Sequence, residues 1–341
     1  MLSDLPCGKI VLLLDWPPPP DWPLTRELQN RFRTVVVHLC RVPDGYNGNL
    51  EKMRLLWGNY IRSTWQAFWL HRDADVVFAW QPVLGLFYAL LCRIFRRHRV
   101  KILVSHLIIP ERKKLVQRLR ITFIRACVKR ISCITVSSKV EVSKYATALR
   151  LQPGRVIYLP LGIDHSALQE WQNQEYIFSG GRSNRDYATL IKAVEKMPVT
   201  VKIAAQRHNL DQASIPKNVQ FICGVFGSDF DRLIAEAKLV VLPLDRADES
   251  SGHLVLLRAM YFGKAVIISD NAAIRDYVTD RENVFIVNAH DPVALTGLIQ
   301  TLLRDDGLRN RIGQAARRHV LQHYMFDQTS LELVRIIAAA K

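Results

Sequence analysis

Short apolar runs rich in β-branched residues alternate with longer amphipathic segments almost from end to end of the chain. Strands separated by helices in this way, with few polar residues inside the strands, are typical of parallel sheets covered on both faces. Two such sets in 341 residues predict an α/β fold with two successive doubly wound, Rossmann-like domains. The predicted strands are 9–14, 34–40, 75–80, 100–106, 133–138 and 155–160, then 175–180, 199–205, 219–224, 239–244, 265–270 and 284–288.

A polar stretch at 161–174 separates the two sets of strands and predicts the domain boundary. We therefore expect a basic N-terminal domain over 1–165, a second domain over 166–325 and a C-terminal helix over 326–341 that can return to the first domain. Ligands of open α/β sheets bind beyond the carboxyl ends of the strands. A chain with two such domains is therefore expected to bind its ligands in a cleft between the facing strand ends. The predicted helices lie near 24–32, 51–70, 83–97, 110–130, 139–148, 186–196, 228–237, 252–262, 291–303, 306–323 and 327–340.

The uncharged segment 76–92 is the one stretch that resembles a membrane span. It is short for a span and carries Gln81–Pro82 near its middle, which favours a buried strand, a turn and a helix. The N-terminus has an early acidic residue and a short apolar run, unlike a secretory signal. Six cysteines are scattered without a CxxC pair, which indicates reduced thiols in a reducing, cytoplasmic compartment.

The net positive charge of the chain arises from its first half. Residues 1–160 hold 26 Lys and Arg against 10 Asp and Glu, whereas 161–341 hold 21 of each. A basic half indicates an anionic partner, either a lipid surface or a nucleic acid. No nucleic-acid-binding module is recognisable, so no nucleic-acid partner is expected.

Two basic segments, 93–101 and 111–131, alternate cations with apolar residues. Such segments can be solvated helix faces or can lie on an anionic bilayer. Nearby aromatic residues of the type found at membrane interfaces favour the bilayer: Trp57, Trp65, Trp69 and Tyr88.

Two strand–turn–helix junctions in the second half have the composition of phosphate sites. In the first, Gly180 and Gly181 allow a close backbone approach, and Arg182 and Arg185 precede the helix. A plain turn with surface arginines explains that pattern equally well.

In the second junction, Ser250 or Ser251 suits the N-cap position, and Gly252, His253 and Leu254 would be the first helical residues. Their amide groups lack intrahelical partners and lie at the positive end of the helix dipole. Simple capping is the alternative. Two such junctions in one α/β domain together predict a nucleotide-diphosphate site.

The order of motifs between about 133 and 325 resembles family-4-type glycosyltransferases of the GT-B fold. A looser resemblance covers CITVSSKVEVSKYA (133–146) and VIYLPLGID (156–164). The motifs that carry the resemblance are SGGR (179–182), NVQFICGVF (218–226), VVLPL (240–244), SSGHLVLLRAMYFGKAVIISD (250–270) and ENVFIVNAHDPVALTGLIQTLL (282–303).

The resemblance implies transfer of a sugar, with retention, from a nucleotide diphosphate sugar. Together with the basic first half, it leads us to expect a UDP- or GDP-sugar donor and a lipid-linked, glycolipid or polysaccharide acceptor at the cytoplasmic face of a membrane. It implies that Gly181 and Arg182 meet the diphosphate, that Arg185 replaces a lysine, and that backbone near Val225 meets the base. No cofactor is implied, and the absence of metal-ligand spacing among His, Cys and carboxylate residues predicts no metal requirement.

By the same resemblance, the helix start at Ser251–Leu254 cradles the phosphates, and His106, at the end of a strand in the first half, contacts the donor sugar. A core or capping role for His106 is equally compatible with the sequence.

The chain departs from the family's Glu-x7-Glu motif, whose two positions hold Ser250 and Arg258. Glu249, one position earlier, could supply a carboxylate. Arg258 can only donate hydrogen bonds, so a phosphate, Asp248 or Glu249, or solvent are its possible partners. The junction is closest to a Ser-Gly-Gln type, with His253 at the Gln position. Loss of both carboxylates leaves a non-catalytic binding protein of the same fold as the alternative function.

Overall fold

The structure is a computed structural model that describes residues 8–41, 49–109, 114–165, 172–206, 215–247 and 249–339. The chain forms two compact units. The first comprises Met1–Pro160 together with Thr329–Lys341, and the second comprises Leu161–Gln328.

The first unit is a six-stranded, fully parallel sheet in the order β2-β1-β3-β4-β5-β6. The chain runs from β1 outward to β2 and then crosses back to β3 on the other side of β1. The strand order therefore reverses between β1 and β3. Its strands are β1 (Lys9–Leu14), β2 (Thr34–Leu39), β3 (Val76–Ala79), β4 (Lys101–Val104), β5 (Cys133–Val136) and β6 (Val156–Tyr158).

Helices connect these strands in sequence. They are α1 (Pro23–Gln29), α2 (Asn49–Leu70), α3 (Pro82–Ile94), α4 (Lys114–Val128) and α5 (Lys139–Leu149), and the last helix of the chain is α11 (Phe326–Ala339). The uncharged segment 76–92 is the fully buried strand β3 followed by α3, as predicted, with Pro82 at the first helical position. Within the described residues, no helix is both long enough and apolar enough to cross a membrane.

The second unit is also a six-stranded parallel sheet, in the order β12-β11-β10-β7-β8-β9. Here the chain starts at β7, runs outward to β9 and returns to β10 on the other side of β7. The strand order reverses between β7 and β10. Its strands are β7 (Tyr176–Gly180), β8 (Thr200–Ala204), β9 (Val219–Ile222), β10 (Leu239–Leu242), β11 (Val266–Ser269) and β12 (Phe285–Val287).

The helices of the second unit are α6 (Tyr187–Val194), α7 (Gly227–Glu236), α8 (His253–Tyr261), α9 (Pro292–Arg304) and α10 (Asp306–His323). Three of them begin at an aspartate whose carboxylate accepts a hydrogen bond from a first-turn amide: Asp186, Asp291 and Asp305. The central strands β7 and β10 are buried along their whole length, which explains why they read as continuous apolar runs. The predicted strands and helices, and the parallel doubly wound topology, are confirmed.

Candidate functional site

The loops that follow β7 and β10 meet at the carboxyl edge of the second sheet, where its strand order reverses. The two loops are linked directly, because the amide of Asp186 donates to the carbonyl oxygen of Pro243 at 3.0 Å. Open α/β sheets bind ligands at this point. The topology therefore brings together the two phosphate-type junctions that the sequence places more than sixty residues apart.

Arg185 folds back over the glycine turn that ends β7. Its Nε donates to the carbonyl oxygen of Gly180 at 3.0 Å, and its Nη1 donates to that of Ser183 at 2.7 Å. Gly181 has φ +123°, and a Cβ there would lie 2.4 Å from Nη2 of Arg185. Glycine is therefore required at 181 both for the backbone conformation and for the space that the guanidinium occupies.

The start of α8 lies against the same guanidinium. Gly252 is the N-cap residue, with φ +84° and no side-chain cap. Both Nη atoms of Arg185 lie 3.6 Å from the position that a Cβ of Gly252 would take. The guanidinium thus occupies the junction of the Gly181 turn and the N-terminus of α8, where the first-turn amides also point.

The serine N-cap predicted for α8 is wrong. Ser251 Oγ accepts a hydrogen bond from Asn184 Nδ2 at 2.8 Å and donates to the carbonyl oxygen of Glu249 at 3.4 Å. Ser250 is buried, and its Oγ has no hydrogen-bond partner among the described residues. Gly252, in the left-handed conformation, takes the cap position, and neither serine hydroxyl accepts a hydrogen bond from a first-turn amide of α8.

Asn184 holds the two loops together and was not singled out from the sequence. Its Nδ2 donates to Ser251 Oγ and to the carbonyl oxygen of Arg246 at 3.0 Å, and its Oδ1 accepts from the amide of Arg246 at 2.8 Å. Asn184 itself has φ +53°, a conformation that asparagine tolerates better than most residues. An asparagine three residues after Gly181, in the loop between a strand and a helix, is the signal that could have identified it.

Asn271 forms hydrogen bonds with the backbone of the loop between β10 and α8. This buried side chain donates to the carbonyl oxygens of Arg246 and Glu249 at 2.9 and 3.0 Å. Glu249 is therefore anchored through its backbone. Asp248, the neighbouring carboxylate, lies outside the described residues.

Burial lowers the pKa of Arg185 below its ordinary value, and the neighbouring Tyr187 hydroxyl acts in the opposite direction. An arginine remains a cation at neutral pH even so. Tyr187 donates its hydroxyl hydrogen bond to the carbonyl oxygen of Gly181 at 2.7 Å, and burial raises its pKa to about 12. The turn around Gly181 is thus held by the neutral Tyr187 hydroxyl and by the charged guanidinium of Arg185.

Arg182 lies on the solvent side of the first loop. Its Cζ is 5.9 Å from the ring centroid of Phe226, which is 63% exposed and precedes α7. Val225, the predicted base contact, is the half-buried residue before it. The loop after β9 therefore borders the loop after β7, and Phe226 is a second residue that sequence reasoning missed.

The imidazole of His253 packs in the core. It is 3% exposed, its Nε2 lies 3.3 Å from the carbonyl oxygen of Ala273, and its ring centroid is 4.6 Å from that of Tyr277. Burial lowers the pKa of His253 to about 4. With its ring in the core, His253 has only its backbone amide at the start of α8. The side chain of the next residue, Leu254, is exposed.

One partner of Arg258 is a carboxylate that the sequence did not single out. Its Nη1 lies 2.6 Å from Oδ2 of Asp231, which joins α8 to α7. Both side chains are largely buried, which favours a structural role for this ion pair.

His106 belongs to the first unit, where it follows β4 with φ +44°. Its amide donates to Thr135 Oγ1 at 3.0 Å, and its ring centroid lies 6.1 Å from that of Trp80. Its contact with a donor sugar stays a prediction.

In the parts of the chain that the structure describes, no three His, Cys, Asp or Glu residues are grouped so that they could hold a metal ion. The described cysteines are free thiols. Burial raises the pKa of Cys92 to about 11 and that of Cys127 and Cys133 to about 12, so these three are protonated core residues.

Comparisons with known proteins relate part of the chain to one family. Residues 170–319 match the family model described as "Glycosyl transferases group 1". A D-inositol 3-phosphate glycosyltransferase of Salinispora arenicola is 31% identical over 126 residues, 37% of this chain and 27% of that protein. The match therefore spans about a quarter of the length of this curated relative.

Solved structures resemble the whole chain. Anabaena Alr3699/HepE, in complex with UDP and glucose, has a TM-score of 0.74 at 16% identity, over 98% of this chain and all of that one. Sucrose-phosphate synthase from Thermosynechococcus elongatus has a TM-score of 0.72 at 16% identity, with the same coverage.

The two parallel doubly wound sheets and these neighbours define the chain as a GT-B fold. The family match covers residues 170–319, most of the second unit, and agrees with the resemblance to glycosyltransferases that the sequence motifs indicated.

Proposed function

We propose that this protein transfers a sugar from a nucleotide diphosphate sugar bound at the carboxyl edge of the second unit. The observation that carries the proposal is the position of Arg185, whose guanidinium joins the Gly181 turn to the uncapped start of α8. A guanidinium beside backbone amides suits a diphosphate because each can donate hydrogen bonds to phosphate oxygens. The relatives are named glycosyltransferases, and one neighbour was solved with UDP and glucose, which supports a UDP-sugar donor.

The chemistry follows from the charge that develops on the departing diphosphate. Arg185, Arg182 and the first-turn amides of α8 would stabilise that charge from fixed positions, which is an effective form of transition-state stabilisation. We propose retention of configuration, with a departing phosphate oxygen accepting the proton of the acceptor hydroxyl. His106 and Glu249 are the further predicted contributors near the sugar.

The two arginines also lead us to propose that no divalent cation is needed to neutralise the diphosphate. Activity should then be unchanged by a chelator such as EDTA. A loss of activity that Mg²⁺ or Mn²⁺ restores would contradict this part of the proposal.

A nucleotide-sugar panel tests the function. Purified protein is incubated with UDP-, GDP- and ADP-sugars, with and without a mixed acceptor pool, and release of the nucleoside diphosphate is followed. We expect UDP release that increases with acceptor. UDP binding without turnover on any acceptor would instead favour the non-catalytic alternative.

We also propose that the first unit binds an anionic membrane surface through one face built from α2, α3 and α4. These helices pack in that order, and the Phe87 ring bridges Trp57 and Phe123 at 5.8 and 6.1 Å. Tyr88, expected among the interface aromatics, is fully buried and takes no part. Among the described side chains, the large exposed apolar residues of these helices, together with Phe95, which follows α3, are Leu55, Trp57, Ile61, Trp65 and Leu70, Ile94 and Phe95, and Leu115, Leu119 and Phe123.

Exposed cations on the same helices, Arg62, Arg93 and Arg118, complement an anionic lipid surface. Sedimentation with phosphatidylglycerol and with phosphatidylcholine vesicles tests the proposal. Leu119→Asp should abolish most of the binding to the anionic vesicles, whereas Val293→Asp, at an exposed valine of α9, should not. Equal sedimentation of both variants would contradict it.

A further inference from the structure

The carboxyl edge of the first sheet carries an unassigned group of residues at the point where its strand order reverses. Asp15 and Trp16 directly follow β1, and Trp80 and Gln81 directly follow β3, the neighbouring strand. This is the place where open α/β sheets bind ligands. It corresponds to the place in the second sheet where the Gly181 turn meets α8.

Three tryptophans form one aromatic cluster at this edge. Trp16, Trp22 and Trp80 pack edge to face, with ring centroids 5.2, 5.5 and 6.2 Å apart. Trp22 is buried, whereas Trp16 and Trp80 are half-buried and so present part of their rings to solvent. His106, from the next strand, extends the cluster.

A proline run fixes the position of these rings. Pro17–Pro20 joins Trp16 to Trp22, and the amide of Trp22 donates to the carbonyl oxygen of Pro19 at 3.1 Å. Each proline restricts its own φ, so the loop loses little conformational entropy when a ligand binds. The aromatic surface is therefore preorganised.

A carboxylate is held beside the indoles. Asp15 Oδ2 accepts hydrogen bonds from Tyr60 Oη and from Gln81 Nε2, both at 2.9 Å. Burial, with the adjacent Asp15 carboxylate second, raises the pKa of Tyr60, which keeps its hydroxyl a donor. Both hydrogen bonds go to one carboxylate oxygen, and Asp15 is half-buried, so its other oxygen is oriented without being covered by these donors.

We propose that this edge, formed by Trp16, Trp80 and Asp15, is a binding site for an uncharged pyranose ring of the acceptor. The proposal rests on the glycosyl-transfer function argued above and deepens it by naming the acceptor group. The C–H-bearing face of a pyranose packs on the electron-rich face of an indole, while its hydroxyls donate to a carboxylate. A phosphorylated ring is disfavoured here because Asp15 would repel it.

Saturation-transfer NMR on the full-length protein tests the site with defined probes: the methyl β-pyranosides of glucose, galactose, mannose and N-acetylglucosamine, with inositol 3-phosphate for comparison. Wild-type protein should transfer saturation to ring protons of at least one pyranoside. Trp16→Ala should remove that transfer, whereas Trp16→Phe, which keeps an aromatic surface, should retain most of it. Binding of inositol 3-phosphate alone, or of no pyranoside, would overturn the proposal.

In the transfer assay, Asp15→Asn and Trp16→Ala should each raise the KM for a pyranoside acceptor about tenfold with a smaller effect on kcat, as expected for residues that position the acceptor. UDP binding by these variants separates the two proposals, and their circular dichroism spectra report whether the first unit is folded. Unchanged UDP affinity with lost pyranoside binding supports this site. Wild-type protein that binds pyranosides but no nucleotide would contradict the transfer function and leave the sugar site standing.

Discussion

At the scale of single residues, the candidate donor site depends on side chains whose partners lie far away in sequence. Asn184 reaches a loop 62 residues further on, and Arg185 connects two helix starts. Composition made Arg185 a candidate phosphate ligand, but nothing local to Asn184 shows which carbonyl and hydroxyl groups the Asn184 side chain meets. Such contacts depend on the packing of β7 beside β10.

Asn184→Gly should weaken UDP binding about tenfold, because the loop that precedes α8 loses hydrogen bonds worth about 1 kcal/mol or more together. Glycine keeps the positive φ at this position, so the effect reports the hydrogen bonds alone. Arg281→Gly is the matched control, since Arg281 also has φ +60° but lies in an exposed turn before β12. Titration calorimetry measures both, and equal affinities for the two variants would contradict this role.

His253 predicts a pH dependence of stability. Burial lowers its folded-state pKa to about 4, below the ordinary value of about 6.5, so the unfolded chain binds a proton first as the pH falls. The stability that the neutral ring contributes is fully present above about pH 6.5. It is lost as the pH falls from about 6.5 to 4, which lowers the free energy of unfolding by about 3 kcal/mol. Urea unfolding at several pH values should show a flatter profile for His253→Gln than for wild type.

His98→Gln, at an exposed histidine of the first unit, should leave the pH profile of stability as it is in wild type. A His253→Gln profile that is parallel to wild type would show that the buried ring does not set this dependence.

At the scale of elements, the sequence is a good guide where one physical signal dominates. Buried parallel strands carry continuous apolar runs, and the helices between them carry proline or aspartate at their first turns, so both could be predicted. The N-cap residue of α8 could not be predicted, because two serines beside a glycine favour a serine cap by local propensity alone. In the structure the cap residue is Gly252, in the left-handed conformation, and the hydroxyl of Ser251 is engaged by Asn184, a tertiary contact that local propensity does not include.

The ion pair between α7 and α8 illustrates the same limit. Arg258 stands 27 residues from Asp231, and no periodicity links them. A double-mutant cycle with Arg258→Gln and Asp231→Asn should give a coupling energy of about 1 kcal/mol in unfolding experiments, with little change in UDP affinity. Absent coupling together with weakened UDP binding would instead support a contact between Arg258 and a phosphate of the donor.

At the scale of the whole molecule, the two units share one topology but differ in chemistry. Each sheet reverses its strand order beside its first strand, and each reversal point carries the residues of a proposed site. Residues 161–341 are electrically balanced, and the second unit presents arginines and amides, whereas residues 1–160 carry the net charge of +16 and the first unit presents indoles and a carboxylate. This division suits a donor phosphate in one unit and an acceptor sugar in the other.

The most direct test of the central claim is the affinity of the protein for UDP, measured by titration calorimetry for wild type and for Arg185→Gln. The account predicts that wild type binds UDP and that the variant binds about a hundredfold more weakly, since a charge-assisted contact to phosphate contributes about 1.5–3 kcal/mol. The variant should keep the circular dichroism spectrum of wild type. A folded Arg185→Gln variant that binds UDP as tightly as wild type would contradict the account.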